Sequence, residues 1–184
     1  MTPDYQSAET DSCAKLVLMP SAEYDATPHE VRNFALLQVG LTGGFFVLLF
    51  FMLGGRDADY PPLWLSVVLL MLIGVGAFFA ERVWLNTSPM DADDPGHDVE
   101  AEAVGIFAGQ TVRKLIYCEV PLIIAVFVAF AGDYGGWPLV VAGFPGLAVL
   151  TWETWPSLRN ISMTAAMLDS AGAESRLVES FRQS

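Results

Sequence analysis

The chain has 184 residues, of which 53% are hydrophobic and 16% charged, and its formal net charge at pH 7 is −12. Soluble domains usually carry about a quarter charged residues, so this composition argues against a soluble fold. The negative balance argues against nucleic acid as a partner, because phosphate binding needs clustered lysine and arginine.

Residues 1–30 are polar and acidic and include three prolines. They lack the continuous apolar core of a cleavable signal peptide. We therefore expect a polar, acidic N-terminal tail outside the membrane, with the first hydrophobic block serving as the insertion signal.

Four long apolar blocks follow, and each predicts a transmembrane helix, because about 20 apolar residues cross a hydrocarbon core of roughly 30 Å. Segments 54–62 and 132–136, rich in Gly, Asp and Pro, are predicted turns. Tryptophan near both ends of the second and fourth blocks is typical of the membrane interface. The sequence thus predicts an all-α integral membrane protein with a four-helix domain over 31–156, its helices at about 34–53, 63–85, 112–131 and 137–155.

Two further segments lie outside these blocks. Residues 86–111 are predicted to form an acidic loop, in which 101–111 could make a short helical lead-in to the third helix. The tail 157–184 carries apolar residues at helical spacing and is predicted to be amphipathic. Such segments commonly lie on the membrane surface or against a partner.

Lysine and arginine are distributed unequally between the two sides of the predicted bundle. The turns after the first and third helices contain only Arg56, whereas eight basic residues lie on the other side, which predicts that both termini and the 86–111 loop are cytoplasmic. Without an organelle-targeting signal, the default location is the bacterial inner (plasma) membrane. The eight are Lys15, Arg32, Arg82, Arg113, Lys114, Arg159, Arg176 and Arg182.

A weak internal repeat links the two halves of the predicted bundle. Val31-Arg32 and Val112-Arg113 open the first and third helices, and Gly54-Gly55 and Gly135-Gly136 close them at the same offset. This pattern suggests two helical hairpins of parallel topology. Chance similarity between apolar segments explains it equally well, so duplication stays open.

Polar residues inside or beside apolar blocks are the candidate sites, because they are costly in a bilayer. One interpretation is a proton- or cation-binding cluster centred on Glu119 and Glu153. The favoured alternative places both carboxylates at shallow depth near one interface, paired with Arg113, Lys114 or Arg159. The candidate polar cluster comprises Gln38, Glu81, Arg113, Glu119, Glu153 and Arg159.

Four glycines, Gly40, Gly43, Gly44 and Gly74, are candidate helix-packing residues, because small side chains let membrane helices approach closely. Packing of the first helix against the second is the simplest expectation. A contact with a different polypeptide is the alternative, since the first helix also carries a bulky phenylalanine surface.

The sequence offers little for catalysis or cofactors. His29 and His97 lie outside the predicted helices, so they cannot hold a haem within the membrane. The phosphate-binding, dinucleotide, zinc and nucleophile motifs are missing from the sequence. We therefore expect no enzymatic activity, no metal and no cofactor.

These observations favour a non-catalytic accessory or structural subunit that packs against a larger membrane protein complex. The alternative is a small proton- or cation-coupled transporter or channel acting as a homo-oligomer, which the acid pair Glu119 and Glu153 and the weak repeat would support. Other membrane subunits and the lipid bilayer are the expected partners.

Overall fold

The structure, a computed structural model, describes residues 26–55, 57–90 and 98–183. Within these ranges all regular secondary structure is helical, with six α-helices and two short 3-10 helices at Val83–Asn86 and Asp169–Ala171. The predicted all-α class is therefore confirmed, whereas residues 1–25 of the predicted N-terminal tail lie outside the described part. The helices are α1 Pro28–Met52, α2 Leu63–Glu81, α3 Val99–Ala131, α4 Trp137–Thr154, α5 Leu158–Leu168 and α6 Leu177–Gln183.

Side-chain caps fix where several helices begin. The Thr27 hydroxyl accepts from the Glu30 amide, and the Glu30 carboxylate accepts from the Thr27 amide in return, a capping box that starts α1. Asp98 caps α3 and Ser157 caps α5 by accepting from the backbone three residues later.

Three segments are long and apolar enough to cross a membrane: Pro28–Met52, Leu63–Asn86 and Val99–Ala131. These three helices indicate a multi-pass membrane protein. The fourth predicted span, α4, has only 18 residues, or about 27 Å at 1.5 Å per residue. It contains two prolines, two glycines and Glu153, which lower its mean hydropathy.

The membrane helices are arranged around α3 and α4, which share the most extensive contact. Helix α2 packs against both of them, and α1 packs against α4 on the opposite side of the pair. The predicted packing of the first helix against the second is therefore wrong, and the first pair does not form a packed hairpin. The connection lengths explain this, because ten residues (53–62) join α1 to α2, whereas only five (132–136) join α3 to α4.

Small residues of α4 allow this close packing. Phe46 of α1 lies directly against Gly143, and Leu122 of α3 lies against Gly146, where a β-carbon would collide with it. Helix α4 thus contacts three neighbours and needs less apolar surface than a helix that faces lipid. Its modest hydropathy follows from this central position.

Helix α3 is longer than predicted, because the expected helical lead-in at 101–111 forms and continues into the third membrane helix without a break, so that this part of the predicted loop is helical. Its 33 residues extend over about 50 Å, well beyond the roughly 30 Å of a hydrocarbon core. The first third of the helix therefore stands outside the apolar bundle. Residues 91–97 of the predicted 86–111 loop lie outside the described part.

The C-terminal helices pack against this projecting end of α3. Ile161 and Leu168 of α5 and Phe181 of α6 are buried against Val104 and Phe107. The rings of Phe107 and Phe181 meet edge to face at 5.2 Å. The amphipathic tail thus buries its apolar face within its own chain, and together with residues 99–110 it forms a compact unit that we call the end layer.

Candidate functional site between the membrane helices

A buried ion pair joins the two central helices where the bundle meets the end layer. Lys114 Nζ of α3 lies 3.1 Å from Glu153 Oε2 of α4, and the two side chains are 8% and 6% exposed. A buried charge is costly unless it is paired. This pair therefore fixes the axial register of α3 against α4.

A second ion pair extends the first one. Arg159 of α5 binds Glu81 at the end of α2, and the Glu81 carboxylate also faces Glu153. The guanidinium of Arg159 lies 5.7 Å from the centre of the Trp152 ring. Lys114, Glu153, Glu81 and Arg159 form what we call the charge ladder, whose formal charges cancel and which connects four helices.

The Asn160 side chain caps the C-terminal end of α4 beside the charge ladder. Its side-chain amide donates to the carbonyl oxygens of Trp152, Glu153 and Trp155 at 2.9–3.2 Å. These carbonyls have no intrahelical donor at a helix end. Asn160 thus satisfies the terminus that carries Glu153 and holds that carboxylate in place.

A separate polar site, the Glu119 site, lies between α1 and α3. The Gln38 side-chain amide and the Thr42 hydroxyl, the latter at 3.1 Å, both donate to Oε1 of Glu119. Glu119 is partly buried, and apolar side chains surround the three polar groups. Two helices that share little backbone contact are thus joined by hydrogen bonds to one carboxylate.

Glu119 lies near the midpoint of the helix bundle. Gly146 is nine residues from Trp137 and nine from Trp155, so it marks the midpoint of α4. Leu122 packs against Gly146, and Glu119 precedes Leu122 by three residues, or about 4.5 Å along α3. Glu119 therefore lies within about one helical turn of the bundle's midpoint, and its depth in a bilayer stays a prediction.

An open groove of about 350 Å³ runs beside the Glu119 site on the outer surface of the bundle. Thr42 and Glu119 are its polar members. Its apolar walls come from Leu41, Phe45, Phe46, Leu122, Ile123 and Val126. The groove thus gives lateral access to the Glu119 carboxylate from the apolar surroundings of α1 and α3.

Five of the six predicted polar residues fall into these two sites, Gln38 and Glu119 in one and Glu81, Glu153 and Arg159 in the other. Arg113 joins neither: it is exposed and forms no ion pair with the described residues. Its neighbour Lys114 takes the buried position instead. Thr42 is a further member that the sequence analysis missed, and its only signal was a hydroxyl one helical turn after Gln38.

The predicted packing glycines behave differently from one another. Gly43 alone approaches another helix of the chain, with a virtual β-carbon 3.7 Å from Leu147 of α4. Gly40, Gly44 and Gly74 have open space beside them. Within the described chain these three glycines pack against no other helix.

Metal-binding clusters of three or more His, Cys, Asp or Glu residues are missing from the described ranges. His29 lies in the first turn of α1, while His97 falls outside the described residues. The expectation that the protein holds no metal or cofactor stays a prediction.

Comparison of the chain with protein-family models, with curated proteins and with solved structures finds no match in any of the three.

Proposed function

We propose that the protein is a non-catalytic accessory subunit that packs through α1 against a transmembrane helix of a different polypeptide in a larger membrane complex. One observation carries the proposal: the outward face of α1 has glycines with open space beside them. We call Leu37, Gly40, Gly44 and Leu48 the glycine face. These residues lie at helical spacing on one side of α1.

Helix α1 is the least enclosed of the three long spans. Only 17% of its apolar window is buried within the chain, compared with 39% for α3. Exposed leucines border the two glycines, Leu37 at 62% and Leu48 at 56%. Lipid requires only apolar atoms, but a flat strip between bulky side chains also offers close approach to a second helix.

A deeper apolar groove of about 460 Å³ lies next to this face, between α1 and α4. Gly43 and Gly143 form part of its lining, and large aromatic side chains form its walls. The shape suits protruding side chains of a neighbouring helix. The aromatic lining comes from Phe46, Phe50, Phe51, Trp137 and Phe144.

The end layer indicates the partner's charge. An open cleft of about 630 Å³ is lined by four acids and a single base, Arg176. A second copy would bring another acidic cleft and a further net charge of −12, which opposes self-association through long-range repulsion. A different membrane polypeptide with a basic segment beside its helix complements this surface. The four acids are Glu100, Asp169, Glu174 and Glu179.

The proposal includes four spans with both termini in the cytoplasm of a bacterium. Helix α4 runs beside α3 and between α1 and α2, so a bilayer that contains those three helices would also contain α4. Seven described basic residues lie at the end of the bundle that carries the end layer, which supports a cytoplasmic end layer. Arg56 and Lys15 lie outside the described residues.

Cysteine labelling tests this orientation. In a background with Cys13 and Cys118 changed to alanine, Ala58→Cys should react with an impermeant thiol reagent applied to intact cells. Ser170→Cys, an exposed position in the end layer, should react only after the membrane is opened. The opposite pattern would reverse the orientation without changing the number of helices.

The partner contact predicts a steric effect at one glycine. Gly44→Leu should lower the amount of co-purified partner at least ten-fold, because helix packing in membranes depends on close van der Waals contact. Gly74→Leu is the matched control, since Gly74 also has open space beside it but lies on α2. The measurement is the stoichiometry of one co-purified integral membrane protein at matched expression.

Site-specific photo-crosslinking identifies the occupant of the glycine face. A photoreactive residue at Leu48 should yield one discrete product with a different polypeptide, whereas one at exposed Met71 of α2 should not. A product with twice the mass of the chain itself would replace the proposal with a homo-oligomer. If Gly44→Leu and Gly74→Leu retained the same amount of partner, α1 would not be the docking helix.

A further inference from the structure

We infer that Glu119, Gln38 and Thr42 form a binding site for a single proton inside the bilayer, reached sideways through the groove between α1 and α3. This inference goes beyond a structural role and does not depend on the partner proposed above. It rests on the depth of the carboxyl group, on its hydrogen bonds and on the open groove beside it.

The carboxyl group has no cationic partner among the described residues. Its two hydrogen bonds come from neutral groups and reach the same atom, Oε1. An unpaired carboxylate within an apolar medium is costly by several kcal/mol. Binding a proton removes this charge and keeps Gln38 and Thr42 as donors to the carbonyl oxygen of the acid.

The charged and titratable groups of the described helices around the site give Glu119 no cationic partner. On α3, Lys114 is bound to Glu153 of α4, and the Cys118 thiol is buried in the cluster around Leu150. On α1, the Arg32 guanidinium donates to the Phe181 carbonyl at 2.8 Å. Arg113 is exposed at the bundle surface, so none of the described basic side chains neutralises Glu119.

A metal cation fits this site poorly. Hard cations need several oxygen ligands, and the site offers the two carboxyl oxygens and one hydroxyl, whose proton is already directed at Oε1. The Gln38 amide directs its N–H rather than its oxygen toward Glu119. A proton requires only one lone pair, on Oε2, to which no hydrogen-bond donor of the described residues is directed.

The chemistry of an apolar carbodiimide distinguishes a protonated carboxyl group from an ion-paired one. The acid protonates a carbodiimide nitrogen, and the carboxylate oxygen bonds to the central carbon, giving an O-acylisourea. Transfer of the acyl group to nitrogen then gives a stable N-acylurea, with no leaving group and no oxidant or reductant. The product is the protein plus one whole reagent molecule, which mass spectrometry locates to a residue.

The experiment treats native membranes with dicyclohexylcarbodiimide and maps the adducts by tandem mass spectrometry. Glu119 should be labelled at least ten-fold faster than Glu81 and Glu153, which form ion pairs with Arg159 and Lys114. The rate should fall as the pH is raised, because only the protonated acid reacts. Glu119→Gln keeps the shape and the hydrogen bonds of the side chain. This variant should lose the adduct but elute from a size-exclusion column at the same volume as the wild type.

Three results would contradict a proton-binding site that is reached through the groove. Equal labelling of Glu119, Glu81 and Glu153 would show no preference for this carboxyl group. A labelling rate independent of pH would show that protonation does not control reactivity. Labelling only after extraction into detergent would show that another chain covers the groove in the native membrane. The last result would leave the accessory-subunit proposal standing, so the two failures are distinguishable.

Discussion

Lys114→Met is expected to destabilise the bundle by about 3–5 kcal/mol, the usual cost of removing one partner from a buried ion pair. Methionine fills much the same space, so the loss is electrostatic rather than steric. Without Lys114, Glu153 must either stay charged beside the Glu81 carboxylate or take up a proton, and both cost stability. The destabilisation comes from the carboxylate that is left behind.

Replacing the acidic partner of the pair should destabilise the bundle much less. Glu153→Gln keeps an oxygen that can accept from Lys114 and removes the repulsion from Glu81. The long stem of Lys114 can also carry its ammonium toward the membrane surface. The double variant Lys114→Met with Glu153→Gln should therefore recover most of the stability that Lys114→Met alone loses.

Unfolding of the purified variants by sodium dodecyl sulfate in mixed micelles measures these differences. Arg113→Met is the matched control, because Arg113 precedes Lys114 in sequence but is exposed and joins no ion pair in the described structure. Equal unfolding midpoints for Lys114→Met and Arg113→Met would contradict a stabilising role for the charge ladder. A double variant as unstable as Lys114→Met would contradict the electrostatic cause.

The contrast between Arg113 and Lys114 shows what sequence patterns can decide in this chain. Both residues are basic, adjacent and close to the membrane boundary, so either could pair with Glu153. Neighbouring helical residues point about 100° apart, and only the packing of α3 against α4 decides which one faces inward. The sequence predicts the presence of an ion pair here, but it does not identify the partner.

The depth of Glu119 along the bundle likewise depends on how α3 packs against α4. Counted from Val112, where apolar character begins, Glu119 is seven residues, or about two turns, into the predicted helix. In the structure α3 starts at Val99, and its depth is set by where Leu122 meets Gly146 of α4. Axial register between helices depends on side-chain packing, for which apolar blocks alone carry no signal.

Helix positions were predictable because bilayer thickness imposes a simple length rule on apolar blocks. Which helices pack against each other was not predictable from the sequence, since α1 and α2 are consecutive yet lie on opposite sides of the α3–α4 pair. The end layer was also missed, because its core joins residues as distant as Val104 and Phe181. Each part looks too short to fold when considered alone.

Gly76→Leu is expected to separate α2 from α3 and to destabilise the protein by about 3 kcal/mol or more, the upper end of the usual range for overpacking. A β-carbon at Gly76 would lie only 2.6 Å from the Tyr117 carbonyl oxygen and 3.0 Å from the Pro121 ring. Proline has no N–H, so Pro121 leaves the carbonyl four residues earlier without its helical donor. Glycine lets the backbone of α2 approach this oxygen, and a backbone atom cannot move aside as a flexible side chain can.

The matched control is Gly74→Leu, which adds the same side chain two residues earlier on α2 where there is open space. Its unfolding midpoint should stay within about 0.5 kcal/mol of the wild type, as for substitutions away from packed features. Size-exclusion chromatography should show a monodisperse Gly74→Leu protein and an aggregated or poorly recovered Gly76→Leu protein. Equal behaviour of the two variants would mean that α2 does not meet α3 at Tyr117, and the placement of α2 beside Pro121 would then be wrong.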